Sequence, residues 1–345
     1  MAIEAIRIGM KALRPHKAVC DAQFKVPNIL TTDPFNYVDL WLRRKHHNDA
    51  LFYWRQAQAF YRASQNLSIE SAPLVLYYCF MNAAKALLSA KGVTFSPVHG
   101  VTAHNMRGPT SKVLLKNEGV KIKSNGIVPS LSAYFGEGER SLIHSLEDIL
   151  YNLVFIHRTY CLSYPSSKER FLPLKSAEFV RDSVTGEVWF RANPVDDADW
   201  RFFKKVLPQE VAINANDLKE ISSIARINWA TSNNPTGQEL DALRGLNRTL
   251  RRSLHYINGA QTLWYLKTKG TYVIDRQSIT LTLAAMHRLS EICRYRPSEL
   301  GSLLNGQKHW LLSEFVAMSR TQFLDEVACE MTGHQVMIPN VRMPV

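Results

Sequence analysis

The stretch PLVLYYCFMNAAKALLSAKG, Pro73 to Gly92, constrains the fold more than any other part of the chain. Leu74, Tyr77, Tyr78, Met81, Ala84, Lys85, Leu87 and Leu88 recur at three- and four-residue spacing, which places them along one side of a helix. Pro73 suits the first helical position behind Ser71 as a cap. Lys91-Gly92 supplies a stop: a cation at the negative end of the helix, then a glycine free to turn left-handed. The small residues Ala83, Ala84 and Ala86 let other helices approach closely. A helix this apolar needs partners to cover it, so the pattern predicts a helical bundle.

Other segments extend that reading. NYVDLWLRRKHHNDALFYWRQAQAFYRASQ reads as helix with Asn36 or Asp39 as its cap; Arg43–His47 is either an exposed turn of it or a short break. ERSLIHSLEDILYNLVFIHRTYCL carries apolar residues on one side and also reads as helix. AEFVRDSVTGEVWFRANP predicts two strands joined near Thr185-Gly186. VDDADWRFFKKVLP reads as a short helix. TGQELDALRGLNRTLRRSLHYINGAQTLWYLKTKG is either one long helix or a helix interrupted at Asn258-Gly259. SITLTLAAMHRLSEICRY predicts a helix ended by Pro297, and a further helix precedes Gly333. The expected fold is therefore mostly α, a helical bundle with a small β insertion in the middle of the chain. The expected divisions are an extended segment over 1–36, a helical region with a histidine-bearing loop over 37–175, a mixed insertion with short strands over 176–235, a helical region over 236–333 and an extended tail over 334–345.

Charge narrows the partners. The 345 residues include 42 Lys and Arg against 30 acids, a formal charge of +12. That excess favours a polyanionic partner, a nucleic acid or nucleotide. The five cysteines are widely spaced without a C-x-x-C pair, which argues against a disulfide framework or a zinc site and for a reducing, cytoplasmic setting. No metal and no cofactor is expected. The apolar run near Leu74–Met81 is too short to span a bilayer, so no membrane partner is expected. No Gly-x-x-x-x-Gly-Lys-Ser/Thr, Gly-x-Gly-x-x-Gly or Gly-x-Ser-x-Gly motif occurs, which argues against common ATPase, Rossmann and hydrolase readings.

Two basic groupings are candidates for chemistry. On a helix from Gln238 to Leu266, Arg244, Arg248, Arg251 and His255 would share a stripe beside the ridge Leu243, Leu246, Leu250, Leu254 and Ile257. Arginine grips phosphate bidentately, and histidine moves a proton near neutral pH. His255, Arg248 and Arg251 are thus the catalytic candidates for cleavage of RNA, with Arg244 and Arg252 as phosphate contacts; the competing reading is a solvated helix face. In the loop after the Pro73 helix, His99, His104, Arg107 and Lys112 are candidates for anion binding. Gly100 and Gly108 would let backbone N–H groups approach a phosphate. The competing reading is a structural turn.

Four stretches, PLVLYYCFMNAAKALLSAKG, HGVTAHN, EGVKIKSNGIV and HRLSEICRYRPSEL, make the chain resemble the YaaC-like family of bacterial proteins. They cover Pro73 to about Leu300, and none is a catalytic signature. The resemblance implies a bacterial or phage-related source and a cytoplasmic setting. NAAKALLSAKGVTFSPVHG is also similar to HEPN domains, helical bundles of which many are metal-independent ribonucleases with an arginine, four to six residues, then a histidine on one helix. Arg248 and His255, with six residues between, match that spacing. Thr249 departs from the polar amide or acid that usually follows the arginine. These resemblances imply a HEPN-like ribonuclease in phage defence. The alternative, of a different class, is a non-enzymatic adaptor or assembly subunit, a homo-oligomer or a protein-binding partner, whose aromatic helices form an interface.

Overall fold

The computed structural model describes residues 3–108, 113–196, 198–215, 217–230, 234–259, 261–306 and 308–337. The chain divides into two compact units. The first combines Met1–Leu30, Arg170–Thr271 and Gly333–Val345; the second combines Thr31–Glu169 and Tyr272–Thr332.

The first unit is built on an eight-stranded antiparallel sheet. Its spine is the hairpin of Phe171–Asp182 and Glu187–Pro194, which turns at Gly186, a residue at φ 75°. A bulge between Lys175 and Glu178, with Ser176 at φ 56°, interrupts the longer strand. On that strand's other edge, Leu263–Lys267 pairs with Phe171–Leu174 and Ile3–Ala5 pairs with Val180–Asp182. Leu254–Ile257 lies beyond Leu263–Lys267, and Ile221–Ser223 with Val211–Ile213 extends the opposite side. Phe179, Phe190, Ile221 and Trp229 from this unit meet Leu243, Leu246 and Leu250 of the helix Gly237–Leu250. Each such leucine contributes about 1.5–3 kcal/mol by leaving water. Thr236 and Glu239 close a capping box at the helix start.

The second unit is helical around Ala72–Ala90, the helix expected from Pro73, which packs against Asn48–Ser64, Ser278–Tyr295 and His309–Thr332. Phe80 stacks on Phe323 with centroids 4.2 Å apart. A three-stranded sheet of Val101–Asn105, Glu118–Ile122 and Ile143–Ser145 completes the unit. The first helical region is two helices, Pro34–Arg44 and Asn48–Ser64, capped at Asp33 and broken where His46 takes φ 58°.

The fold-class expectation needs correction. Helix makes up 44% and strand 19% of the protein, and the β structure is no small insertion. The error lies after Leu250. There the helix ends, and Leu254–Ile257 and Leu263–Lys267 form a hairpin. Leu250, Leu254 and Ile257 fit a helical ridge by spacing, but LHYI and LWYLK also fit strand pairing around Asn258-Gly259. Pairing of Tyr256 with Trp264 across the hairpin decided the matter. Arg248 and His255 consequently do not share a helix, and the arrangement implied by the HEPN resemblance is absent. Among the described residues no helix is long and apolar enough to cross a membrane.

Candidate functional site

The strand Glu118–Ile122 opens on a carboxylate with no solvent exposure. Arg107 donates to its Oε1, while Arg288 and Arg296 donate to its Oε2, Arg296 at 2.6 Å. Glu299 closes the ring, accepting from Arg296 at 2.9 Å and also from Arg107. Burial alone would raise the Glu118 carboxyl, but the hydrogen bonds from Arg296 and Arg107 and the charge of Arg288 hold it below the usual range. Its arginines come from the loop after Val101–Asn105, from within Ser278–Tyr295 and from Arg296 just beyond that helix.

One turn of Ser278–Tyr295 joins this cage to a second group. His287 lies beside Arg288, and its Nδ1 is 3.5 Å from Oε2 of Glu291, which also faces Arg288 at 3.4 Å. The rings of Tyr77, His99 and His287 meet pairwise, with centroids 5.4 Å apart for Tyr77–His99, 4.9 Å for Tyr77–His287 and 5.5 Å for His99–His287. Burial pushes the Tyr77 phenol up, so its hydroxyl keeps its proton, and it shares a hydrogen bond with His99 Nδ1. Burial, with His99, Arg288 and Lys123 nearby, lowers His287 to about 3. Partial burial and then the charges of Lys85 and Lys123 lower His99. Burial raises Glu291. Near neutral pH the site thus offers two uncharged imidazoles and a phenol beside ammonium groups. His99 is exposed; His287 is buried.

The loop carrying His99 is fixed by backbone contacts. Gly100, at φ 73°, lies against Gly126, at φ 124°, so closely that a Cβ on either would collide with the other's backbone. The Ile127 and Val128 amides donate to the Val98 and His99 carbonyls at 3.0 and 3.2 Å, and the Lys123 amide donates to Gly100 O at 2.9 Å. The glycine predicted to admit a phosphate instead admits a second piece of backbone.

Lys85 does not itself line, but reaches toward, an open cavity of about 390 Å³ lined by Asp49, Phe52, Tyr53, Ser89, Thr94 and Phe95. Its Nζ lies 5.5 Å from the centroid of the Tyr53 ring. Phe52 is 62% exposed, which leaves an aromatic face open to a ligand.

The residues singled out in the sequence are distributed as follows. His99, His104 and Arg107 belong to the second unit: His99 at the ring cluster, His104 half-buried on Val101–Asn105, and Arg107 in the Glu118 cage. Lys112 lies outside the described residues. Arg244, Arg248, Arg251, Arg252 and His255 belong to the first unit. Arg248 and Arg252 are exposed, and Arg244 pairs with Asp241 at 2.7 Å. Arg251 is buried, over the rings of Tyr256 and Trp264. His255 is buried on its strand with its ring edge-on to Phe171. Burial, then Lys267 and Arg251, holds its imidazole well below the usual histidine range. Arg251 and His255 are therefore brought together, and the outer arginines are not part of that group. Sequence reasoning missed Glu118, Tyr77, His287, Glu291 and Glu299. The one available signal was charge inside an apolar helix: His287, Arg288 and Glu291 interrupt SITLTLAAMHRLSEI at adjacent turns.

A polar centre drawn from four distant segments, Tyr77, His99, Glu118 and His287–Glu299, organises the second unit of an α+β protein around a buried ion cage. The model of the YaaC-like Protein family matches residues 23–331, most of the chain, and the chain belongs to that family. The four stretches that carried the resemblance are those that supply this centre. No curated protein and no solved structure matches the chain.

Proposed function

We propose that the second unit binds a nucleotide, either free or as part of a single-stranded nucleic acid. The base lies against Phe52, Tyr53 and Phe95, and the phosphate lies between Lys85, Lys123 and His99. The observation that carries this reading is the position of Lys85, which lies over the Tyr53 ring and also acts on His99. One ammonium group therefore serves both an aromatic surface and a histidine-bearing edge. Base stacking on such rings contributes about 1–3 kcal/mol per base. The cavity falls in the usual range of about 300–1,000 Å³ for small-molecule sites. The formal charge of +12 supports a polyanionic ligand. His99, accessible and uncharged, can take a proton from a group beside the bound phosphate.

The test is binding of nucleoside mono- and triphosphates by calorimetry, and of labelled single-stranded RNA and DNA by anisotropy, at low salt. Wild type should bind, and Lys85→Ala and Phe52→Ala should each weaken binding about tenfold, or about 1.4 kcal/mol. His99→Asn should leave binding nearly intact while reducing any hydrolysis of the bound ligand. A folded protein that binds none of these ligands, or binds them equally well after both substitutions, removes the reading and favours the adaptor alternative.

A further inference from the structure

We propose that His157, Cys161 and Glu169 form a zinc site in the second unit. His157 and Cys161 are one turn apart on the helix His157–Ser163, so their side chains leave it in the same direction. Glu169 follows the helix and returns to them. Cys161 Sγ lies 3.4 Å from His157 Nε2, and Glu169 Oε2 lies 3.2 Å from the same nitrogen. All three donor atoms are within 4.8 Å of one another. A tetrahedral zinc ion with Zn–S of about 2.3 Å and Zn–N and Zn–O of about 2.05 Å holds sulfur and nitrogen about 3.5 Å apart, and nitrogen and oxygen about 3.3 Å apart. Both observed separations agree with those values to within about 0.2 Å, so the imidazole nitrogen already stands at ligand spacing from the other two donors.

The chemistry of the set agrees with the geometry. A thiolate, an imidazole and a carboxylate form a mixed set that suits zinc better than magnesium or calcium, which prefer oxygen alone. A thiolate and a carboxylate cancel the dication's charge, which favours binding at a half-buried place. Arg158 holds Glu169 Oε1 at 2.6 Å, which leaves Oε2 aimed at the other donors, the outer support that metal ligands usually need. Cys161 and Glu169 are only partly buried, so three protein ligands leave a fourth position open to water. Binding displaces the Cys161 thiol proton to solvent and requires the neutral His157 to carry its proton on Nδ1, freeing the Nε2 lone pair for the metal, so affinity falls as pH falls.

The spacing His-x-x-x-Cys is present in the sequence, but it lacks the paired cysteines that usually mark a zinc site. The experiment uses the full chain, stripped with chelator and kept reduced by a phosphine, titrated with cobalt(II) and then zinc. One equivalent of cobalt should bind with a thiolate-to-metal absorption in the near ultraviolet, and zinc should abolish that band. Cys161→Ser should remove the band. Glu169→Gln should keep it while weakening binding about tenfold or more. In wild type, zinc should slow alkylation of Cys161, read by peptide mass spectrometry, and leave the half-buried Cys20 and Cys293 unchanged. This last readout does not depend on a variant folding. No bound cobalt at stoichiometric concentrations, a band that survives Cys161→Ser, or equal protection of all three cysteines overturns the proposal.

Discussion

In the first unit, buried cations rest on aromatic rings and main-chain carbonyls; in the second, a buried anion rests among arginines. Lys17, 2% exposed, donates to Val336 O at 2.7 Å and to Asn258 Oδ1 at 3.0 Å, and lies 5.2 Å from the Tyr256 ring centroid. Arg251, 4% exposed, lies over Tyr256 and Trp264 and donates to Leu254 O and Lys17 O. Glu118 instead takes three guanidinium groups, and Glu299 bridges two of them. A ring face or carbonyl attracts a cation through a fixed partial charge, so losing the cation leaves neutral groups. Removing a charge from an ion cage leaves like charges facing one another. The first arrangement tolerates change; the second does not.

The sharpest way to break this contrast is Glu118→Gln. It keeps size and hydrogen-bonding ability and deletes only the charge. Arg107, Arg288 and Arg296 then face one another, with Glu299 left to Arg107 and Arg296 and Glu291 to Arg288. We expect a loss of about 3–5 kcal/mol, the range for breaking a buried ion pair from one side. Urea denaturation gives the magnitude, and hydrogen exchange resolved by peptide should place the loss in residues 31–169 and 272–332. A loss below about 1 kcal/mol would show that the cage is not a cooperative unit.

Arg251→Met tests the other half. Methionine replaces the stem, keeps contact with the rings and removes the guanidinium. The cation–ring attraction, about 2 kcal/mol when desolvated, and the partners of two carbonyls are lost, but so is the cost of burying the charge. We expect a net loss of about 1–2 kcal/mol, with faster exchange in residues 170–271. A cost equal to that of Glu118→Gln would erase the distinction between the units.

What was legible in the sequence follows the same division. Local signals worked where one segment determines its own shape: the Pro73 start and Lys91-Gly92 stop of the long helix, the hairpin turning at Thr185-Gly186, and the break at Pro297. They failed where distant segments decide. The sheet of the first unit draws on Ile3–Ala5, Phe171–Pro194 and Leu254–Lys267, and no periodicity within one window reveals that partnership. The spacing of Leu250, Leu254 and Ile257 satisfied two periods at once, and only pairing with Leu263–Lys267 selected the strand. Of the site, His99 and Arg107 stood out because loops with glycine and charge draw attention. Arg288 and Arg296 were visible in the sequence, but nothing in their own segment marks the distant carboxylate that they hold. Glu118 could not be told from surface charge, because what buries it are arginines far along the chain. The Gly100–Gly126 contact was hidden for the same reason.

Acid sharpens the comparison through one histidine in each unit. His16 in the first unit and His287 in the second are each lowered from 6.5 to about 3, burial being the largest cause in both. Lys11, Arg251, His334 and Lys17 add to it at His16, and His99, Arg288 and Lys123 at His287. The folded imidazole stays neutral while the unfolded one takes a proton below about 6.5. The unfolded state therefore binds more protons, and stability is full above pH 6.5 and lost as pH falls toward 3. At pH 5 each histidine should cost about 2 kcal/mol, a figure insensitive to the folded value as long as it lies well below 5. His16 Nδ1 accepts the Ala18 amide at 3.0 Å, so His16→Asn retains an acceptor there without a titrating group. His287→Asn removes the imidazole beside Glu291. Denaturation at pH 7 and pH 5 should show each variant losing about 2 kcal/mol less than wild type on acidification. Exchange should place the rescue in the unit that holds the substituted residue. Rescue of both units by either substitution would mean that they lose stability as one body. An unchanged acid loss in both variants would mean that the carboxylates of the Glu118 cage, and not the buried imidazoles, set the acid limit.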